Sequence, residues 1–217
     1  MSRGRPRSRG GAVRNWGEVR LRFSGRELLD LAVAWLVLSL AFAIFFGGGG
    51  MRFLAGDPVV LLAISAVTAG VGFILHELGH KVAAVRFDTP AEFRADYGML
   101  GLAVVVALAG WLFAAPGAVY HPPAVTKRQQ GLIALAGPAV NVVLVAAFLP
   151  LLFVPLEIAA QLAFYGVLVN AFLAAFNMIP FGPLDGRKVL GWSNVVFVLS
   201  FLLTVGLAAA TVFLLFL

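Results

Sequence analysis

A short stretch of this sequence carries two histidines and a glutamate at the spacing His76-Glu77-x-x-His80. On a helix, residues four apart lie on one face, so both imidazoles can reach a single zinc ion while Glu77 lies beside the reacting water. The flanking residues 72–85 contain no proline and are typical of a helix. The spacing therefore predicts a zinc site in which His76 and His80 are ligands and Glu77 is the catalytic base of a peptidase.

The helix that carries this motif belongs to a very apolar chain. Of its 217 residues, 61% are hydrophobic and 12% are charged, whereas about 25% are charged in ordinary soluble proteins. The mean hydropathy is +0.98. A membrane-spanning helix needs about 20 mainly apolar residues. Six apolar runs are candidates, at 28–46, 59–85, 99–115, 132–154, 156–180 and 194–217. They predict an all-α polytopic membrane protein with five to six transmembrane helices.

That environment decides how the two histidines and the glutamate are interpreted. In a soluble protein they could be a chance arrangement or a buried hydrogen-bond cluster. Ionisable groups are costly inside a membrane, so three together indicate a functional site. The chain has no cysteine, which excludes thiolate ligands, a cysteine nucleophile and disulfide bonds.

Basic residues are concentrated near the N-terminus, where eight of the sixteen Lys and Arg side chains lie within residues 1–26. This segment predicts a disordered tail that lies against anionic lipid headgroups rather than nucleic acid. By the positive-inside rule we expect the tail to be cytoplasmic. Residues 27–217 are then a single membrane-embedded domain of a multi-pass cell-membrane protein, with the metal motif nearer the cytoplasmic face.

A catalytic zinc site usually has three protein ligands, so the third must come from elsewhere in the chain. Asp185 is one candidate, although Asp followed by Gly is more often a turn or a helix cap. His121 is the other candidate. It stands between Tyr120 and Pro122, and we expect an exposed loop histidine that at most touches substrate.

The membrane topology decides whether Asp185 can be a metal ligand or is only a turn or capping residue. If all six apolar runs crossed the membrane, Asp185 would emerge on the side opposite the two histidines. If the run 99–115 enters the membrane and returns, Asp185 lies on their side, and all seven basic residues after His80 face the cytoplasm. A plain spanning helix is the alternative for this run. The charges favour a re-entrant segment at 99–115 and Asp185 as the third ligand.

Two further features could contact a substrate. Residues 92–97 alternate polar and apolar side chains, which predicts a short strand whose edge can pair with an extended peptide. Asn141 and Asn177 lie within or at the ends of apolar runs, where each amide needs a partner. They either form hydrogen bonds between helices or contact the substrate and its tetrahedral oxyanion. Asn141 is the stronger candidate for the second role.

Three motifs in this order resemble the site-2 protease family of intramembrane zinc metalloproteases. The first is His76-Glu77-x-x-His80. The others are GPAVN at 137–141 and NMIPFGPLDG at 177–186. Three ordered motifs at suitable spacing are far more specific than the first alone.

The resemblance covers residues 58–190 or so, roughly the middle of the chain. It implies a three-helix catalytic core and one Zn²⁺ per chain, held by His76, His80 and Asp185. It also implies a strand region that handles substrate. The expected activity is a zinc metalloendopeptidase that cleaves single-span membrane proteins in regulated intramembrane proteolysis.

A membrane transporter for metal ions or protons is the rival interpretation, because it could use the same His, Glu and Asp side chains. A degenerate protease homologue that acts as a membrane chaperone is a third. Glu77 separates these classes, since a peptidase requires it as the base whereas a transporter could use any polar ligand there. The intact Glu77 argues against the degenerate homologue.

Overall fold

The computed structural model describes residues 20–112, 116–120 and 125–216. Most of them are helical, and two short strands, β1 (Glu92–Ala95) and β2 (Gly117–Tyr120), form an antiparallel pair. The helices are α1 (Gly25–Phe46), α2 (Gly50–Ala55), α3 (Pro58–Ser65), α4 (Val71–Arg86), α5 (Tyr97–Leu108), α6 (Lys127–Phe148), α7 (Glu157–Asn177), α8 (Asp185–Trp192) and α9 (Asn194–Phe216).

Five segments of the described residues are long and apolar enough to cross a membrane. The second span joins α3 to α4 through a π-helical turn, Ala66–Gly70, and the carbonyl of Ala66 accepts a hydrogen bond from the Trp35 indole on α1. The prediction of a polytopic helical membrane protein is confirmed. The spans are Gly25–Phe46, Pro58–Arg86, Lys127–Phe153, Glu157–Asn177 and Asn194–Leu214.

The apolar run 99–115 does not form a spanning helix. α5 has 12 residues and is therefore about 18 Å long, whereas the hydrocarbon core is about 30 Å thick. The strands on either side of it pair antiparallel, with Ala95 opposite Gly117, so the chain returns to the place it left. This geometry agrees with the predicted re-entrant segment. Residues 113–115 lie outside the described part of the chain.

The strand pair differs from the prediction in its length and in its partner. The predicted strand 92–97 ends at Ala95, because the side chain of Asp96 caps α5 by accepting from the backbone N–H of Met99 at 2.9 Å. Its partner β2 was not predicted, since Gly117–Tyr120 lacks the alternation of polar and apolar side chains that marks a half-buried strand.

The first helix begins inside the segment assigned to the tail. α1 starts at Gly25, and the hydroxyl of Ser24 caps it by accepting from the backbone N–H of Glu27 at 3.1 Å. The helical part of the chain therefore starts slightly earlier than the boundary of 26 suggests. Residues 1–19 of the expected tail lie outside the described residues.

A buried ion pair joins α1 to the helix that carries the histidines. Lys81 and Glu27 are 2% and 1% exposed, and the Lys81 ammonium donates to the Glu27 carboxylate at 2.5 Å. The other oxygen of Glu27 accepts from the backbone N–H of Phe93 on β1 at 3.0 Å. One carboxylate therefore holds α1, α4 and β1 together next to His80.

Candidate metal centre

His76 and His80 lie one turn apart on α4, and their side chains point into the same space. Both residues are buried, and their Nε2 atoms are 3.0 Å apart. Gly79 between them faces α6, where an added Cβ would lie 3.1 Å from the carbonyl oxygen of Ala136. The glycine lets α6 pack closely against the helix face that carries the two imidazoles.

Asp185 is the first residue of α8 and projects toward the same imidazoles. Its Oδ2 atom lies 3.4 Å from Nε2 of His76 and 3.1 Å from Nε2 of His80. The next residue, Gly186, packs so tightly that a Cβ there would lie 2.1 Å from the carbonyl oxygen of Met178. The Asp-Gly pair thus allows α8 to start directly beside the end of α7, which places Asp185 at the site.

The spacing of these three ligand atoms fits a metal ion. Ligands that bind zinc tetrahedrally at about 2.1 Å are about 3.4 Å from one another. The ligand atoms of His76, His80 and Asp185 all lie within 4.8 Å of one another, and the pairwise distances given above are close to the tetrahedral value. Two imidazoles and one carboxylate are a donor set of catalytic zinc sites, which keep a fourth position for water or substrate.

Each imidazole has a partner that fixes its orientation. Nδ1 of His76 lies 2.6 Å from the amide oxygen of Asn141, and Nδ1 of His80 lies 2.8 Å from the carbonyl oxygen of Ile133. Both oxygens are acceptors, so each ring donates through Nδ1 and keeps an unprotonated Nε2. Such outer partners orient metal ligands and are part of most metal sites.

The carboxylate of Asp185 also has a second partner. The Lys188 ammonium donates to its Oδ1 atom at 3.4 Å, which leaves Oδ2 facing the imidazoles. Burial raises the pKa of Asp185, whereas the imidazoles of His80 and His76, whenever they are protonated, outweigh this effect and hold the pKa below its ordinary value. The Lys188 ammonium also favours the carboxylate form, which is the form that a metal ligand requires.

α6 crosses directly over the imidazoles at Gly137. A Cβ at this position would lie 2.5 Å from Nε2 of both His76 and His80. Only a residue without a side chain leaves the space in front of the two ligand atoms open. Pro138 follows and cannot donate a hydrogen bond within the helix. The 137–141 motif therefore shapes the metal site through its glycine.

Glu77 lies next to the three ligands and has a free oxygen. It is 7% exposed, and among the described residues its Oε2 atom has no hydrogen-bond partner. It lines a cavity of about 120 Å³ together with the ligands. Other walls of this cavity come from α1, β2, α6, α7 and α8, including Gly117, Val119, Gln130, Asn177 and Lys188.

The remaining predicted site residues have different positions. Asn177 is half-buried, lines the cavity, and donates through its amide nitrogen to the carbonyl of Leu173 at 3.0 Å. Asn141 is fully buried behind His76, away from the cavity. This position differs from the expected contact with substrate and favours a supporting role. His121 lies outside the described residues.

Two partners of the ligands were missed in the sequence. Lys188 had a usable signal, because residues three apart on a helix are neighbours and it follows Asp185 by three. The carbonyl of Ile133 had none, since it is a backbone atom on another helix, 53 positions from His80 in the sequence.

Curated relatives provide an independent comparison, and three of them are each named "Putative zinc metalloprotease". MJ0611 of Methanocaldococcus jannaschii is 38% identical over 189 residues, which cover 85% of this chain and 94% of the relative. Rip2 of Mycolicibacterium smegmatis is 29% identical over 177 residues, with coverage of 71% and 68%. The protein sll0528 of Synechocystis is 35% identical over 141 residues, 62% of this chain but 32% of the relative. No family model and no solved structure matches the chain.

The similarity to MJ0611 extends over nearly the full length of that protein, so it is not confined to a short metal-binding motif. The structure adds that a helix long and apolar enough to span a membrane carries His76 and His80, and that Asp185 lies beside both of them. The order of the three motifs, the geometry of their polar residues and the full-length relative agree with one another. The chain belongs to the site-2 protease family of zinc metalloproteases.

Proposed function

We propose that this protein is an intramembrane zinc endopeptidase that hydrolyses peptide bonds in membrane-spanning protein substrates. The observation that carries the proposal is the free oxygen of Glu77 beside the buried cluster of His76, His80 and Asp185, with both histidines in the C-terminal half of the apolar span Pro58–Arg86. Ionisable groups inside a span are costly and mark functional sites. One zinc ion per chain is the proposed cofactor.

In the proposed mechanism the three ligands hold the metal and Glu77 moves the proton. When bound, zinc supplies a Lewis acid that polarises the scissile carbonyl and makes water more acidic. The Oε2 atom of Glu77 accepts the proton of the attacking water and then donates it to the nitrogen of the leaving amine. Asn177 lines the cavity and has a second amide hydrogen, which is available to the carbonyl oxygen of the substrate.

Water reaches the site from the cytoplasm in this proposal. The contact between Glu27 and Lys81 brings the start of α1 beside the C-terminal half of α4. The contact between His80 and Ile133 likewise brings the start of α6 beside the C-terminal half of α4. The basic residues at these ends and on α8 therefore lie on one side of the protein, which the positive-inside rule assigns to the cytoplasm. They include Arg22, Arg86, Lys127 and Arg187.

The substrate must be extended at the site, because a helical backbone hides its carbonyls. The backbone N–H of Asp96 on the β1 side donates to the carbonyl of Pro116 on the β2 side at 2.8 Å. Along an antiparallel ladder, residue pairs that are hydrogen-bonded to each other alternate with pairs whose N–H groups point away from the partner strand. The pair of Phe93 and Val119 therefore points its N–H groups outward. On β1 the outward N–H of Phe93 is occupied by Glu27. β2, which lines the cavity, is the edge that we propose pairs with substrate.

Replacing Val119 by proline tests this edge. Val119→Pro removes an outward donor, so we expect cleavage of a membrane-spanning substrate to slow roughly fivefold, the effect of about 1 kcal/mol. Zinc affinity should not change. The rate is measured with a purified single-span substrate in liposomes. Val119→Thr keeps the N–H and the branched side chain and serves as the control. Equal rates in all three proteins, or an equal loss in the threonine variant, would contradict substrate pairing at β2.

Removal and return of zinc tests the proposed function as a whole. The purified protein in liposomes should cleave a single-span substrate, lose this activity on treatment with a zinc chelator, and regain it when zinc is added back. Fluxes of zinc and protons across the same liposomes are recorded in parallel. Flux without cleavage would refute the peptidase and establish the transporter.

A further inference from the structure

A second asparagine lies deep inside the helix bundle behind Asn141. Asn170, on α7, is 0% exposed and belongs to none of the three sequence motifs. It does not line the cavity that contains Glu77. A buried amide in an apolar span is costly unless all its hydrogen bonds are made. The partners of Asn170 therefore show what it does.

Hydrogen bonds connect Asn170 to a proposed metal ligand. Its amide nitrogen donates to the carbonyl of Gly166 at 2.8 Å. Its amide oxygen accepts from the amide nitrogen of Asn141 at 2.9 Å. The amide oxygen of Asn141 lies 2.6 Å from Nδ1 of His76. The chain of bonds runs from a backbone carbonyl of α7 to the imidazole on α4.

This chain of bonds has a fixed direction. The carbonyl of Gly166 can only accept, so Asn170 must turn its NH₂ group toward it and its oxygen toward Asn141. Asn141 must then turn its NH₂ group toward Asn170 and its oxygen toward His76. Nδ1 of His76 is consequently the protonated nitrogen, and Nε2 carries the lone pair that faces the metal site.

Packing of α4 against α7 preserves this arrangement. A Cβ on Gly72 would lie 2.6 Å from the amide oxygen of Asn170, so the glycine leaves that oxygen in place. The carbonyl of Gly72 also lies 3.4 Å from the amide nitrogen of Asn141. This second contact is long, and the bond to Asn170 is the shorter of the two. Asn170 therefore has the larger part in orienting Asn141.

We propose that Asn170 is a positioning residue of the metal site, which acts through Asn141 to hold His76 in the tautomer that binds zinc. The proposal rests on the proposed function only in that zinc binds through Nε2 of His76. Loss of an outer partner of a metal ligand typically lowers metal affinity about 10- to 100-fold. Without Asn170, the amide of Asn141 can turn over and present N–H groups to His76, which opposes the binding tautomer.

The test replaces Asn170 by leucine, which has a similar size and no hydrogen-bonding group. Asn170→Leu should lower the zinc affinity of the full-length protein in detergent at least about tenfold, as measured by competition with a chromophoric chelator. Thr204→Val is the matched control, because Thr204 is also buried and its hydrogen bonds to the described residues stay within its own helix, to Ser200 and Phe201. Its affinity should equal that of the wild type.

A double variant separates orientation from packing. Asn141→Asp gives position 141 an acceptor at both ends, so His76 meets an oxygen whichever way the group turns. In the Asn141→Asp background, Asn170→Leu should therefore lower the zinc affinity much less than it does in the wild type. If Asn170 only fills space, Asn170→Leu will lower the zinc affinity by the same factor with and without Asn141→Asp.

The results also separate this proposal from the proposed function. Wild-type affinity in Asn170→Leu, or an equal loss from Asn170→Leu in the wild-type and Asn141→Asp backgrounds, overturns the positioning role. A protein that binds zinc with the expected differences among variants, yet cleaves no membrane substrate, retains the positioning role and refutes the protease. A wild-type protein that binds no zinc refutes both.

Discussion

Glu77→Gln should lower the rate of peptide hydrolysis at least about 1,000-fold, within the range that general acid–base catalysis contributes. Glutamine has the same shape but cannot accept a proton from water at neutral pH. The free Oε2 atom of Glu77, which lies in the cavity beside the three ligands, is the group that is lost. Cleavage of a single-span substrate is compared between the zinc-loaded wild type and variant in the same detergent.

Zinc content is the control in this comparison. Glu77 is not one of the three residues whose ligand atoms converge, so the variant should hold zinc as tightly as the wild type. A variant that cleaves within tenfold of the wild type would show that another group is the base. A variant that has lost its zinc would show that Glu77 is a ligand instead. A transporter would keep its ion flux after this substitution.

Asp185→Asn should weaken zinc binding more than about 100-fold, because even outer partners of ligands contribute factors of 10–100. The substitution removes the only anionic ligand of the set, whose Oδ2 atom lies within 3.4 Å of both imidazole nitrogens. The neutral amide keeps the size of the side chain. Chelator competition gives the affinity, and cleavage should fall in parallel when free zinc is limiting.

Asp96→Asn is a matched control for this second substitution. Asp96 also lies at the start of a helix and accepts a backbone hydrogen bond, from Met99. Its replacement keeps a good capping residue and lies on another helix, so zinc affinity should not change. If Asp185→Asn retains the zinc affinity of the Asp96 variant, the ligand role of Asp185 is wrong.

Features that depend on local sequence were predicted well. The membrane character followed from apolar runs, and the face shared by His76 and His80 followed from helical periodicity. The re-entrant segment followed from the distribution of charges, since only a returning chain keeps the basic residues on one side. The convergence of Asp185 on the histidines also depended on that topology, together with the family resemblance.

Features that depend on contacts between distant segments were not predicted. Asn141 was recognised as an amide that needs a partner, but the sequence does not say which side of its helix faces the cavity. Its partners, His76 and Asn170, are 65 and 29 positions away. Lys81 was counted only as a cytoplasmic charge, although it is 2% exposed. The identity of a residue limits which hydrogen bonds and ion pairs it can form, and the packing of the helices decides which of these it does form.

The ion pair between Lys81 and Glu27 limits how far this protein can be reduced to a smaller catalytic unit. A fragment that starts after α1 would keep every residue of the metal site. It would leave the Lys81 ammonium without its carboxylate, and an ionised group without a partner is costly on a membrane helix. Lys81 directly follows His80 on α4, so that cost falls on the helix that carries the ligands. The first helix supplies neither a metal ligand nor the base, yet a protease engineered without it would need a neutral residue at position 81 and a substitute for the cavity wall at Leu38 and Phe42.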